Sequence, residues 1–190
     1  MEENKNKLPA HAKMVFKGVI FEIWQWEQKM YDGTTQVFES LKRPDTVEIV
    51  AVVGDKIILQ EQEQPDYDIS FLSLPSGRAD GGGTAMEEAK RELLEETGHA
   101  SNDWELVEAI QPYYKTAYTI HVFIARNCQK QQEQTLDSGE KISLRLITFD
   151  EMLMLSEEPR FRGAELVRLF LRLRLEPKMR DEFRKKLFSA

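Results

Sequence analysis

The chain has 190 residues and a formal net charge of −7, with 31% charged and 41% hydrophobic residues. This length can bury a substantial core in one domain, and the balance of charged and apolar residues is that of an ordinary soluble protein. The acidic charge argues against a general nucleic-acid binder, because a phosphate backbone requires a basic surface.

The sequence also indicates a compartment. The single cysteine, Cys128, excludes an internal disulfide and favours a reduced, intracellular setting. No apolar run approaches the ~20 residues of a membrane-spanning helix, and residues 1–13 lack the apolar core of a signal peptide. We therefore expect a cytoplasmic protein without a membrane partner, in which residues 1–13 form a polar tail.

Residues 14–44 predict a small N-terminal sheet of antiparallel strands. Apolar and aromatic residues alternate with polar ones on both sides of Asp32-Gly33, a dipeptide typical of a hairpin turn. Trp24 and Trp26 are two residues apart and therefore share one face of their strand. An aromatic edge sheet is rarely left open, so this one either covers its own domain or pairs with a second subunit.

Residues 45–190 predict a larger domain in which strands and helices alternate. Apolar runs bounded by turn residues predict strands over 46–53, 56–62, 69–74, 104–110, 118–125 and 142–149. A basic amphipathic segment ends the chain, and apolar residues at helical spacing predict helices over 85–97, 152–155 and 163–175. This mixture is typical of an α/β or α+β sandwich.

A glycine-rich loop leads into the first of these helices. The loop glycines, which let the backbone approach a ligand closely, are Gly77, Gly81, Gly82 and Gly83. Thr84 and Glu87 have the spacing of a capping box, and Gly98 stands where a left-handed cap would end the helix. These signals predict a helix from Ala85 to Thr97.

The carboxylates of this helix crowd one side. At 100° per residue, those of Glu88, Glu92, Glu95 and Glu96 share an arc of about 100°. Like charges at these spacings repel by about 0.2–0.5 kcal/mol per pair. The cluster therefore favours a bound cation, and ligands that are all oxygen suit Mg²⁺ or Mn²⁺. The alternative is a solvated helix face, since glutamate is a good helix former.

The spacing resembles the Nudix box, Gly-x5-Glu-x7-Arg-Glu-U-x-Glu-Glu-x-Gly-U, in which U is a bulky apolar residue. Gly77 and the run Arg91-Glu92-Leu93-x-Glu95-Glu96-x-Gly98 match the box at seven positions. Two positions depart from it. Gly83 replaces the first glutamate, for which Glu87 or Glu88 could compensate, and His99 replaces the final apolar residue.

This resemblance implies roles for the box residues. The glutamates that match Glu92, Glu95 and Glu96 hold divalent metal ions in the family, and Arg91 braces the loop through ion pairs. The substrate diphosphate lies over the glycine loop, so Gly77, Gly81 and Gly82 are candidate substrate-binding residues.

Most of the chain is similar to the ADP-ribose pyrophosphatase branch of the Nudix superfamily. The shared features are the N-terminal strands, a strand pair, the Leu74-Pro75-Ser76-Gly77 approach to the box and a C-terminal helix. The branch implies an α/β/α sandwich with a mixed sheet, preceded by a small antiparallel sheet that is often exchanged across a homodimer. It also implies that the Ser76 carbonyl is a metal ligand. By its place before the strand at 142–149, Glu140 matches the catalytic base of the branch; otherwise it is an inert loop residue.

Three aromatic side chains are candidates for substrate contact. Trp24 and Trp26 offer a flat surface on which an adenine could stack, or they pack in the core or in a dimer interface. Tyr113 lies in a segment that replaces a substrate-framing Ser-Pro-Gly motif of the branch, and it either lines the pocket or packs against protein.

The resulting hypothesis is metal-dependent hydrolysis of a nucleoside diphosphate linked to another group. ADP-ribose or another nucleotide sugar is the favoured substrate, and the products are a nucleoside monophosphate and a sugar phosphate. In this mechanism a metal-activated water attacks one phosphorus in line. The alternative, motivated by Gly83, is a catalytically impaired Nudix-fold module that binds nucleotides.

Overall fold

The computed structural model describes residues 8–188, in which strands form a four-stranded sheet, a seven-stranded sheet and a two-stranded ribbon. The strands are β1 (Lys13–Lys17), β2 (Glu22–Lys29), β3 (Thr35–Lys42), β4 (Asp45–Val53), β5 (Lys56–Glu63), β6 (Phe71–Ser73), β7 (Ser76–Ala79), β8 (His99–Ala100), β9 (Asp103–Ile110), β10 (Thr116–Ala117), β11 (Ile120–Arg126), β12 (Gln129–Lys130) and β13 (Lys141–Ile147). The helices are α1 (Ala85–Thr97), α2 (Phe149–Met154), α3 (Ala164–Leu175) and α4 (Pro177–Phe188), and a 3₁₀ turn (Leu155–Glu157) follows α2.

The N-terminal sheet has the order β1-β2-β3-β10. The predicted hairpin is confirmed: β2 and β3 pair antiparallel across a turn in which Gly33 has a φ of 86°. The two-residue strand β10, from the segment that follows β9, pairs parallel with β3. Several apolar side chains of this sheet are exposed, namely Met14, Val15, Phe16 and Val37.

The tail predicted for residues 1–13 lies partly outside the described residues, which begin at residue 8. Residues 8–12 contain a turn, and a ring nitrogen of His11 lies 3.3 Å from the carbonyl oxygen of Glu27 in β2. This short segment therefore contacts the N-terminal sheet.

The central sheet has the order β13-β5-β4-β11-β9, with β6 added to β5 and β7 added to β4. The pair β4 and β11 is parallel and the other pairs are antiparallel, so the sheet is mixed. Side chains alternate across β4. Val47, Ile49 and Ala51 pack in the core that includes Leu93 of α1, whereas Val50 and Val52 pack in the core of α2, α3 and α4. Helices therefore cover both faces, which confirms the predicted sandwich.

The helix boundaries follow local capping signals. Helix α1 has the predicted bounds, because Thr84 and Glu87 form a capping box and Gly98 adopts a left-handed conformation with φ of 70°. The strand predicted for 142–149 is wrong at its end. Thr148 forms a second capping box with Glu151, so Phe149 begins α2. Within residues 8–188, no helix combines the length and apolar character needed to cross a membrane.

Candidate active site

A cavity of about 590 Å³ lies beside α1, where β4, β5, β7, the loop before β13 and the start of α3 meet. Residues far apart in the sequence contribute to its wall. Seven of the predicted site residues line it: Ser76, Gly77, Arg91, Glu92, Glu95, Glu96 and Glu140. The fold therefore brings the predicted metal ligands and the predicted base to one cavity.

Glu96 is fixed by a buried polar network. One carboxylate oxygen, Oε2, accepts hydrogen bonds from Gln60 Nε2 (2.9 Å) and from the backbone N–H of Ser76 (3.0 Å). Behind it, Gln62 Nε2 donates to Gln60 Oε1 and to Ser73 Oγ, both at 2.7 Å. Burial raises the pKa of Glu96 to about 8. These contacts hold the carboxylate in one orientation at the floor of the cavity.

Glu92 lies against the glycine loop. A Cβ atom at Gly77 would stand 2.0 Å from Glu92 Cδ, so any other residue at this position would displace the carboxylate. Burial raises the pKa of Glu92 to about 7; the charge of Arg91 acts in the opposite direction, while those of Glu95 and Glu140 add to the rise. Glycine is therefore required at position 77 because a side chain there would occupy the space of the Glu92 carboxylate.

Glu140 belongs to a loop that approaches the same carboxylates. Its side chain is half-buried, and its Oε2 accepts a long hydrogen bond from the backbone of Asp137 (3.4 Å). The charge of Glu140 contributes to the raised pKa of both Glu92 and Glu96. Three acidic side chains from α1 and this loop therefore repel one another across the cavity.

Arg91 pairs with three glutamates of its own helix. Its guanidinium contacts Glu92 at 2.5 Å and Glu95 at 2.6 Å, and it donates two hydrogen bonds of 3.0 Å to Glu88 Oε2. The other oxygen of Glu88 accepts from the backbone N–H of Gly83 (3.3 Å). Of the two candidates to compensate for Gly83, it is thus the buried Glu88 that joins the loop to Arg91.

The donor set fits a hard divalent cation by its chemistry. Glu92, Glu95, Glu96 and Glu140 offer oxygen atoms alone. Burial and the neighbouring acidic side chains raise the pKa of Glu92 and Glu96, so a cation would stabilise the charged forms of these two groups. Between residues 8 and 188, no three acidic, histidine or cysteine side chains are grouped closely enough to hold an ion as they stand. Glu92 and Glu95 contact Arg91 instead.

Five predicted substrate contacts lie outside the lining of this cavity: Trp24, Trp26, Tyr113, Gly81 and Gly82. Trp24 donates its indole N–H to Glu22 (2.9 Å), and Trp26 packs against Phe38 with ring centroids 6.1 Å apart. Both tryptophans belong to the N-terminal sheet. Their roles, and those of the other three residues, stay predictions.

Sequence reasoning missed seven charged residues of the cavity: Arg43, Glu48, Arg78, Asp80, Asp137, Arg162 and Glu165. The Arg162 guanidinium lies 3.7 Å from the ring centroids of both Tyr67 and Phe71. Glu48 is only 8% exposed although it carries a carboxyl group, and burial raises its pKa to about 8. Its signal in the sequence was one acidic residue inside the apolar run of β4, whereas nothing in the sequence singled out Arg162.

The chain is similar to several known proteins. The NUDIX domain family model matches residues 42–170. The chain is 26% identical over 160 residues to a methanol dehydrogenase activator of Bacillus methanolicus, covering 82% of this chain and 86% of that protein. It is 25% identical over 150 residues to an ADP-ribose pyrophosphatase of Bacillus subtilis (strain 168), covering 76% and 80%. A crystal structure of an ADP compounds hydrolase has the same fold, with a TM-score of 0.71, 22% identity and coverage of 89% and 94%.

Proposed function

Since the chain belongs to the Nudix family, whose domain model spans residues 42–170, we propose that it hydrolyses the diphosphate bond of ADP-ribose or another nucleotide sugar. The products would be a nucleoside monophosphate and a sugar phosphate. The observation that carries this proposal is the convergence of Glu92, Glu96 and Glu140 on one cavity beside Gly77. The similarity to proteins named ADP-ribose pyrophosphatase and ADP compounds hydrolase supports the substrate class.

Nudix hydrolases generally use divalent metal ions. We assign this role to Mg²⁺, with Mn²⁺ as an alternative that also suits oxygen ligands. Glu92 and Glu96, with Glu95 and the Ser76 carbonyl, would hold the metal. When bound, such an ion supplies positive charge to phosphate oxygens and acidifies water.

The side chains of the chain itself would orient the substrate and move the proton. Glu96 is fixed by Gln60 and the Ser76 backbone and cannot swing away without breaking two hydrogen bonds. Gly77 leaves room for the Glu92 carboxylate beside the loop. Glu140 lines the cavity and accepts a hydrogen bond from Asp137 of its own loop, and it is the group we assign to take the proton from the attacking water.

The wider assembly is part of the same proposal. Residues 14–44 would form the dimerisation and substrate edge, and residues 45–190 the catalytic domain of a cytoplasmic homodimer. The exposed apolar side chains of the N-terminal sheet support a second copy as their cover. In this arrangement Trp24, Trp26 and Tyr113 would contact the substrate together with Gly81 and Gly82.

The impaired binding module remains a distinct alternative, and its motivation was Gly83. The hydrogen bonds of Glu88 to Arg91 and to the Gly83 N–H argue against it, because they connect the loop to α1 without a glutamate at position 83.

The test is a panel of nucleoside diphosphates linked to sugars or other groups, incubated with Mg²⁺ and analysed for released monophosphate. Wild-type protein should cleave at least one nucleotide sugar, and Glu96→Gln should lower kcat at least a hundredfold, about 2.7 kcal/mol. An exposed substitution on α4, Glu182→Gln, is the matched control. Binding of nucleotide sugars without any product would instead support the impaired module.

A further inference from the structure

Glu48 is a buried carboxyl group in a position where the fold would accept an apolar residue. In β4 it continues the row of Val50 and Val52, which pack in the core beside α3. It is 8% exposed, and its Oε2 has no hydrogen-bond partner among the described residues. A buried polar atom without a partner is destabilising, so its presence at the wall of a cavity indicates a ligand.

The surroundings of Glu48 offer a complementary donor. Arg43 lines the same cavity, and its Nε–H is also buried without a partner in the described part of the chain. Its guanidinium is held in place by Thr46, which accepts a hydrogen bond of 3.0 Å, and by the ring of Tyr118, whose centroid lies 4.9 Å away. The charges of Arg43, Glu48 and Glu165 all act on the Tyr118 hydroxyl, so the unpaired acceptor and the unpaired donor belong to one end of the cavity.

The charges at this end restrict the ligand. Glu165, at the start of α3, lines the cavity and its charge acts on Glu48. Two carboxyl groups disfavour a phosphate, and Arg43 disfavours an ammonium group. A hydroxyl group satisfies both unpaired atoms, because it donates to a carboxyl oxygen and accepts from an N–H.

The register of the sheet places this end next to the catalytic carboxylates. Glu48 stands opposite Ser76 in the pairing of β4 with β7, and the Ser76 N–H binds Glu96. Glu48, Glu92 and Glu96 all line this cavity, so a group bound at Glu48 would share it with a diphosphate held at Glu92 and Glu96.

We propose that Glu48, assisted by Arg43 and Glu165, binds hydroxyl groups of the sugar attached to the diphosphate and selects nucleotide sugars over compounds without these hydroxyls. This inference rests on the proposed function, since it concerns the same cavity.

The test compares kcat/KM for ADP-ribose with that for ADP esterified by a simple alcohol such as methanol. Wild-type protein should prefer ADP-ribose. In Glu48→Gln the kcat/KM for ADP-ribose relative to that for the simple ester should fall at least tenfold, mainly through a higher KM for ADP-ribose. Glu165→Gln should also lower this ratio. The exposed α4 variant Glu182→Gln should keep the wild-type ratio. Glu48→Leu should unfold at the same or a higher temperature, because it removes a buried group without a partner.

The outcomes separate the two proposals. An unchanged ratio in both Glu48→Gln and Glu165→Gln would overturn the inference, even if hydrolysis is confirmed. If Glu48→Gln alters the preference between ADP-ribose and its guanine analogue, Glu48 contacts the base and the assignment to the sugar is wrong. If wild-type protein cleaves neither ester, the proposed function fails, and calorimetry with the same two compounds then decides whether Glu48 confers the preference in binding.

Discussion

Replacing Glu88 with alanine tests whether this residue compensates for the glutamate that Gly83 replaces in the Nudix box. The substitution removes two hydrogen bonds from the Arg91 guanidinium and one from the Gly83 N–H. A hydrogen bond to a charged group contributes about 1.5–3 kcal/mol. The Arg91 side chain is 41% exposed, so water replaces part of what is lost. We therefore expect a total loss of about 2–3 kcal/mol.

For a chain of this size, 1 kcal/mol shifts Tm by about 2–4 °C, so Glu88→Ala should lower Tm by about 4–12 °C. Calorimetric unfolding measures this shift. The rate of hydrolysis should fall as well, because the glycine loop beside Glu92 loses its hydrogen bond to Glu88 of α1. The matched control is Glu87→Ala, which breaks the capping box and costs about 0.5–2 kcal/mol but makes no contact with Arg91.

A rescue experiment tests whether a glutamate at position 83 can replace Glu88. A Cβ atom at Gly83 would lie 3.1 Å from Glu87 Oε2 and 3.3 Å from Glu88 Oε1, so Gly83→Glu adds a carboxylate beside Glu88 and should gain little alone. In the Glu88→Ala background the same substitution should restore part of the Tm and of kcat. The reasoning is refuted if Glu88→Ala leaves both unchanged while Gly83→Glu alone raises activity.

Three further changes have defined outcomes. Gly77→Ala should lower kcat at least tenfold with nucleotide sugar and Mg²⁺, because its Cβ displaces the Glu92 carboxylate; wild-type kcat would contradict this. EDTA should abolish hydrolysis, and added Mg²⁺ should restore it; full activity in EDTA would exclude the metal role. Hydrogen bonds from Lys186 and Arg126 lower the pKa of Glu105 below its ordinary 4.5, so this pairing stabilises the fold above that pH and is lost in acid. Glu105→Gln should therefore reduce Tm at neutral pH by roughly 1–4 °C and by less as the pH falls below 4.5; an equal reduction at neutral and acid pH would be inconsistent with an ionic contribution.

Local signals sufficed for the acidic helix. The caps of α1 depend on Thr84, Glu87 and Gly98, which interact with their immediate neighbours, so the sequence predicted both ends. The end of β13 was mispredicted for a related reason. Phe149 continues the apolar pattern of the strand, but the side chains of Thr148 and Glu151 form a capping box that begins a helix.

The parts of the site that depend on tertiary structure were less accessible. The network from Gln62 through Gln60 to Glu96 joins β5 to α1 across 36 positions of sequence, and neither glutamine is distinctive in a polar strand end. The position of Glu48 looked like an irregularity in an apolar run. Its unpaired oxygen became visible only when the strand was packed between two layers.

The contact between the glycine loop and Glu88 has a consequence for how this loop can vary. Glu88 binds a backbone N–H of the loop, and a Cβ atom at Gly81 would come within 2.5 Å of its carboxylate. At Gly81 the loop therefore excludes bulky side chains. At Gly82 it requires a residue that tolerates a left-handed backbone, because φ is 86°. A library randomised at these positions should return small or turn-forming residues of varied polarity, so that selection there acts on shape.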